Sequence, residues 1–225
     1  MTKQVQMEVA LQARWESLMK EIDAPDAEAD DIWEDLVAHY SAPDRHYHTL
    51  RHLYMMLNVV DELSYLARDL TTIRLAIFFH DVIYDVTQDD NEARSADYAT
   101  DALVRLGVGE DVIERVEDLI MATSKHFNGD GTYDKDTQIL LDADLVTLGA
   151  AASESHAFAD AIRKEFITVP DETYLPKRIE MMQSLLARER VFYTRPMREA
   201  YEAQARANVS RELDRLQEAC NQLPC

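Results

Sequence analysis

Ile73–Asp85, IRLAIFFHDVIYD, is an almost wholly apolar run broken in its middle by His80 and Asp81. An imidazole and a carboxylate side by side in such a run cost free energy unless hydrogen bonds, an ion pair or a bound cation compensate for the lost water. For an isolated pair, a hydrogen-bonded core or a surface break between two buried segments is the ordinary outcome. Whether this pair is ordinary depends on the polar residues that accompany it elsewhere. The apolar flanks are rich in strand formers, and such a run has no period that separates a buried strand from a buried helix. Period-two alternation bounded by turn signals occurs nowhere else in the chain, and one strand alone has nothing to pair with, so the segment reads as helix.

Outward from this segment the chain reads as helix after helix. Upstream, Leu53, Leu57, Val60 and Leu63 share one face of a helix running to about Arg68, with His48 and His52 in its first turns. Before it lie stripes at Leu11, Trp15, Leu18 and Ile22 and at Ile32, Leu36 and Tyr40, separated by Pro25 and the N-capping Asp26. Downstream, Asp89 to Glu92 place acidic groups where a helix N-terminus favours them, and Gly107 closes that helix. Another helix starts at Glu110, and the glycines of FNGDGTY, residues 127–133, mark a loop. Asp136 opens a helix through QILLDADLVTLG to Gly149. Helices around Phe158 to Phe166, Ile179 to Leu186 and Tyr201 to Leu216 complete the pattern. With 225 residues and no repeat or linker, the expectation is an all-α, compact helical bundle of one domain, residues 1–225.

Charge narrows the partners. Against 43 acidic residues stand 23 basic ones, a formal net charge of -20. A nucleic-acid surface needs a basic footprint, and an anionic lipid surface repels such a chain, so neither partner is expected. No run reaches the length of a membrane span, and MTKQVQMEVALQ lacks a basic-then-apolar leader. Cys220 and Cys225 form no disulfide framework or zinc motif and suit a reducing cytoplasm. An anionic substrate then requires local positive charge, from a bound cation or from a few arginines and lysines.

The polar residues that a helical core must tolerate supply such a place. His48 and His52 are four apart, which on a helix puts them on one face. His80 and Asp81 follow, and of Asp142 and Asp144 in ILLDADL only one faces inward, with Asp144 the expected one. Nitrogen and oxygen donors without thiolate suit a divalent cation such as Zn, Fe, Mn, Mg, Co or Ni, and spacing does not choose among them.

A histidine on one helix, an HD dipeptide on another and a distant aspartate resemble the H...HD...D signature of the HD superfamily of metal-dependent phosphohydrolases. YHTLRH, Tyr47 to His52, resembles the YHNxxH segment of class I cyclic-nucleotide phosphodiesterases. DADLVTLGA, Asp142 to Ala150, is similar to a segment of bacterial HD hydrolases, and FFHDVIYD and DNEARSA resemble phrases of the bacterial group described as predicted HD-superfamily phosphohydrolases. The likeness is strongest over residues 47–149.

That resemblance implies an HD-type helical domain that hydrolyses a phosphoester, with a nucleotide or related small phosphate as substrate. The phosphodiesterase pattern implies His52, His80, Asp81 and Asp144 as metal ligands and His48 as the acid protonating the leaving oxygen, whereas other HD proteins use the first histidine itself as ligand. The further histidine that phosphodiesterases carry after the HD pair is replaced here by VIYDVTQ, which weakens a second metal site of their type. Asp85, four residues after Asp81, is expected on the same helical face, where it would orient the attacking water. Glu92 and His126 match positions of the bacterial group and are candidates for a second shell or second metal. Arg51, Lys125 and Arg178 are candidates for gripping phosphate oxygens. Two other readings use the same residues: a di-iron oxygenase of HD type, which needs extra histidine ligands, and a non-catalytic nucleotide- or metal-binding regulatory domain. Specific substrate, native metal and oligomeric state are not legible in the sequence.

Overall fold

The apolar segment that starts at Leu70 stays helical only to Phe79 and lies at the centre of the fold. Every residue from Leu75 to Phe79 is buried, so neighbours cover this end on all sides. The computed structural model describes residues 2–124 and 132–223, which hold ten α-helices and no strand. They are α1 (Lys3–Glu21), α2 (Asp26–Tyr40), α3 (Leu50–Glu62), α4 (Leu70–Phe79), α5 (Asn91–Arg105), α6 (Glu110–Thr123), α7 (Lys135–Asp144), α8 (Ala152–Glu165), α9 (Asp171–Ala187) and α10 (Arg195–Asn221). Single turns of 3-10 helix, Ser64–Leu66 and Leu145–Gly149, follow α3 and α7. Helix α4 packs against α1, α3, α5, α6 and α7, while α10 lies along α9 and also touches α8 and the Leu145–Gly149 turn. One connected apolar core runs from Leu11 on α1 to Val209 on α10. Among the described residues no helix is long and apolar enough to cross a membrane.

The all-α expectation therefore holds, and the differences lie at helix ends. Helix α3 begins at Leu50, after His48, and ends at Glu62 rather than near Arg68. The backbone N–H groups of His46, Tyr47 and His48 are taken by the Glu165 carboxylate, which holds this stretch out of the helix. The segment through His80 also stops being helical, because α5 captures its backbone. Ser95 Oγ accepts the Ile83 N–H at 3.1 Å and donates to the Ile83 carbonyl, and Asn91 does the same for Asp85 through its amide. The phrase DNEARSA thus secures the turn after the HD pair.

A buried carboxylate and a half-buried one hold other turns in the same way. Asp136 accepts the N–H groups of Arg68 and Asp69, and Glu202 those of Val191 and Phe192. Gly149 is required for space rather than for backbone angle: a Cβ there would lie 2.7 Å from Tyr201 Cβ on α10. Gly107 has φ 75°, the left-handed conformation that follows a helix end. The loop expected at residues 127–133 lies mostly outside the described residues.

Candidate metal centre

Four elements meet at one end of α4. His80 is its C-cap, Asp81 follows in the turn, His52 comes from the first turn of α3, and Asp144 ends α7. Potential ligand atoms of His52, His80 and Asp81 lie within 4.8 Å of one another. Asp144 Oδ1 is 3.0 Å from His52 Nε2 and 3.8 Å from His80 Nε2, and Asp81 Oδ2 is 3.0 Å from His80 Nε2. Both histidines are buried. Asp142 points elsewhere: its two oxygens accept the N–H groups of Tyr193 and Thr194 at 2.6 and 2.7 Å. Burial raises its pKa to about 6 against the pull of those bonds.

His80 is prepared as a ligand. Its Nδ1–H donates to the Ile77 carbonyl at 2.8 Å, which leaves Nε2, turned toward the carboxylates, as the atom available to an ion. Nε2 is buried and, despite its closeness to Asp81, makes no aligned hydrogen bond. Burial opposes charge on this ring, yet Asp81 and Asp144 raise its pKa to about 9. The same negative field that holds a proton there would hold a cation. His52 is lowered by burial, with Asp144 opposing, and its Nδ1 has no hydrogen-bond partner among the described residues. Packing holds that ring instead, with the Tyr47 and His80 rings 5.0 and 5.4 Å away. Burial would raise Asp81, but the neighbouring histidines hold its carboxyl far below the usual range. An orphaned imidazole nitrogen among two carboxylates and a second imidazole fits a divalent cation.

His48 stands beside this cluster without joining it. Its Nε2 is 3.8 Å from Asp81 Oδ2, and its ring centroid is 5.8 Å from that of His52. Nδ1 is tied to Glu165 Oε2 at 2.7 Å, and Glu165 Oε1 accepts the N–H groups of His46, Tyr47 and His48 at 2.8, 2.7 and 2.9 Å. Burial acts to raise the Glu165 pKa, but these bonds and His48 bring it down to about 2. Tyr47 and Tyr84 flank the imidazole with ring centroids 4.7 and 4.2 Å away. Arg45 fastens the two loops together: its guanidinium donates to the carbonyls of His48, Asp81 and Val82 at 3.2, 2.7 and 2.9 Å. Glu165 and Arg45 carry no motif, and sequence reading passed over both.

Of the remaining candidates, Glu92 and Arg178 line the cavity that opens beside His48, Asp81 and Asp144. Arg178 is bound to Glu212 at 2.8 Å. Arg51 is not among the residues lining that cavity; it borders a separate groove and lies over the Phe158 ring. The placement of Asp85 on one helical face with Asp81 is overturned, because α4 ends at Phe79. Its Oδ1 instead accepts the Thr87 N–H at 2.9 Å and the Thr87 hydroxyl at 2.7 Å, and it does not line the cavity. Lys125 and His126 lie outside the described residues.

The chain was compared with family models, curated proteins and solved structures. It matches none of them. The site is therefore read from its own geometry.

Proposed function

We propose that this protein is a metal-dependent phosphohydrolase acting on a phosphoester of a small anionic substrate. The observation that carries the reading is the convergence of His52, His80, Asp81 and Asp144, with the buried Nε2 of His80 turned into the cluster. Those four residues would hold the ion. Bound there, a divalent cation supplies Lewis acidity, lowering the pKa of a water and offsetting phosphate charge. That local charge also reconciles an anionic substrate with a chain of net charge -20.

The chain's own residues divide the rest of the work. His48, held through Nδ1 by Glu165, offers Nε2 to protonate the leaving oxygen. Arg178, pre-placed by Glu212, presents a guanidinium to phosphate oxygens. Tyr47, edge-on, and Tyr84, tilted by 35°, pack against the imidazole and restrict its motion and its exposure to bulk water.

The test is metal analysis of protein purified without chelator, followed by phosphate release from a panel of esters with Mn, Mg, Fe, Zn, Co and Ni. Turnover should vanish with chelator and return with a divalent ion, and His80→Ala and Asp81→Ala should lose the ion while remaining helical. Chelator-resistant turnover, or no release with any metal and ester, refutes the reading.

A further inference from the structure

The cavity beside the metal centre is lined by both polar and apolar side chains. Its volume of about 350 Å³ is that of a small-molecule site. Near His48, Asp81 and Asp144 it is polar, and α9 extends it with Tyr174, Lys177, Arg178, Met181 and Leu185, residues spaced to share one helical face. That face changes character along its length, from the cations Lys177 and Arg178 to Met181, Met182 and Leu185. At the helical rise per residue, Arg178 and Leu185 are roughly 10 Å apart. Ile162 from α8, with Phe166 and Val169 beyond its end, adds further apolar lining, the Phe166 ring lying 5.5 Å from that of Tyr174 on α9. Lys177 and Arg178 line the same cavity as Tyr47, His48 and Tyr84, so the cationic stretch of α9 faces the space beside His48.

We propose that the substrate of this site is a phosphoester whose alcohol part is an apolar alkyl or aryl group, seated between α8 and α9 with its phosphate toward His48 and Arg178. This rests on the hydrolase reading and replaces the nucleoside that the motif resemblance implies with an apolar body. Walls of Ile, Phe, Val, Leu and Met side chains offer no directional hydrogen bond, so affinity comes from apolar area removed from water. The thioethers of Met181 and Met182 adapt to groups of differing shape, so the site selects by size and apolarity rather than by a single outline.

The experiment has a binding arm and a turnover arm, both on the full chain with a divalent ion. Methyl, butyl, hexyl and octyl phosphonates, which are not hydrolysed, are titrated by calorimetry, and the matching alkyl phosphates and adenosine monophosphate are assayed for phosphate release. The dissociation constant should fall about threefold to fourfold per methylene and level off once the cavity is filled. The kcat/KM of the alkyl phosphates should rise in parallel, because their leaving alcohols differ little in acidity. Ile162→Asn and Phe166→Ala, on the half-buried wall, should each flatten this dependence, and two variants guard against one that fails to fold. Affinity that does not change with chain length, or tighter use of adenosine monophosphate than of octyl phosphate, overturns the proposal. Length-dependent binding without phosphate release from any ester supports the apolar seat and refutes the hydrolase reading. Release that is indifferent to length does the opposite.

Discussion

Replacing Glu165 separates structural support from chemistry at His48. The Glu165 side chain is 1% exposed, and it accepts three backbone N–H groups besides its contact with the imidazole. Glu165→Ala strands those donors, each worth about 1–3 kcal/mol when left unmet, although water entering the space recovers part. A net loss of about 3–5 kcal/mol is expected, as for one partner removed from a buried pair. Glu165→Gln keeps an oxygen for the backbone donors but sets an NH2 against His48 Nδ1. The imidazole must then accept at Nδ1, and the cationic form that donates from Nε2 is no longer supported. Stability should fall by only about 1–2 kcal/mol, while turnover on esters with poor leaving groups falls roughly 10²- to 10⁴-fold. Nitrophenyl phosphate, whose leaving group needs little protonation, should be much less affected.

Acid should erase the stability difference between the wild-type chain and Glu165→Gln. The Glu165 pKa is depressed in the fold, from 4.5 to about 2, so its contribution is complete above pH 4.5 and is lost as pH falls toward 2. Urea denaturation at pH 7 and at steps from pH 5 to 2.5, with metal content and both ester assays, provides the measurements. A Gln variant fully active on unactivated esters, or a stability gap that persists unchanged down to pH 2.5, refutes the reasoning.

The two histidines of the α3 entry should part company: His52→Ala arrives metal-depleted, whereas His48→Asn keeps its ion and loses rate chiefly on unactivated esters. Metal analysis that shows the reverse exchanges their roles. The two aspartates of α7 should differ as well. Asp142→Ala strands the N–H groups of Tyr193 and Thr194 and costs about 2–4 kcal/mol of stability by denaturant melt, while Asp144→Asn costs little stability and abolishes metal binding. Equal effects in the two would count against this division. Gly149→Ala forces a methyl group to within 2.7 Å of Tyr201 Cβ and should destabilise by about 1–3 kcal/mol. Tyr201→Ala in the same chain relieves the backbone only in part, since the clash includes Cβ, so full recovery of the melting temperature would show that the aromatic ring alone is the obstacle.

Helix periodicity made the all-α class legible, because apolar spacing is a local property that survives without knowledge of partners. The interruption of Ile73–Asp85 by His80 and Asp81 was legible because polar groups placed where burial is expected announce an unmet cost, whereas the helical face that His48 and His52 were expected to share does not form, since α3 begins at Leu50. Where α3 begins and where α4 stops were not legible, because Glu165, Ser95 and Asn91 take the backbone groups that a longer helix would have used. Asp142 and Asp144 have the same side chain two residues apart, and only the fold gives one the N–H groups of the α10 entry and the other the imidazole of His52. Asp85 was misread because its helical face does not exist. Glu165 and Arg45 were invisible because their meaning lies in donors and acceptors far along the chain, 117 residues away for the Glu165–His48 bond and 36 for Arg45–Asp81. A side chain's type and spacing are written in the sequence, but its hydrogen-bond partner, and with it its charge state and role, exists only once distant segments are brought together.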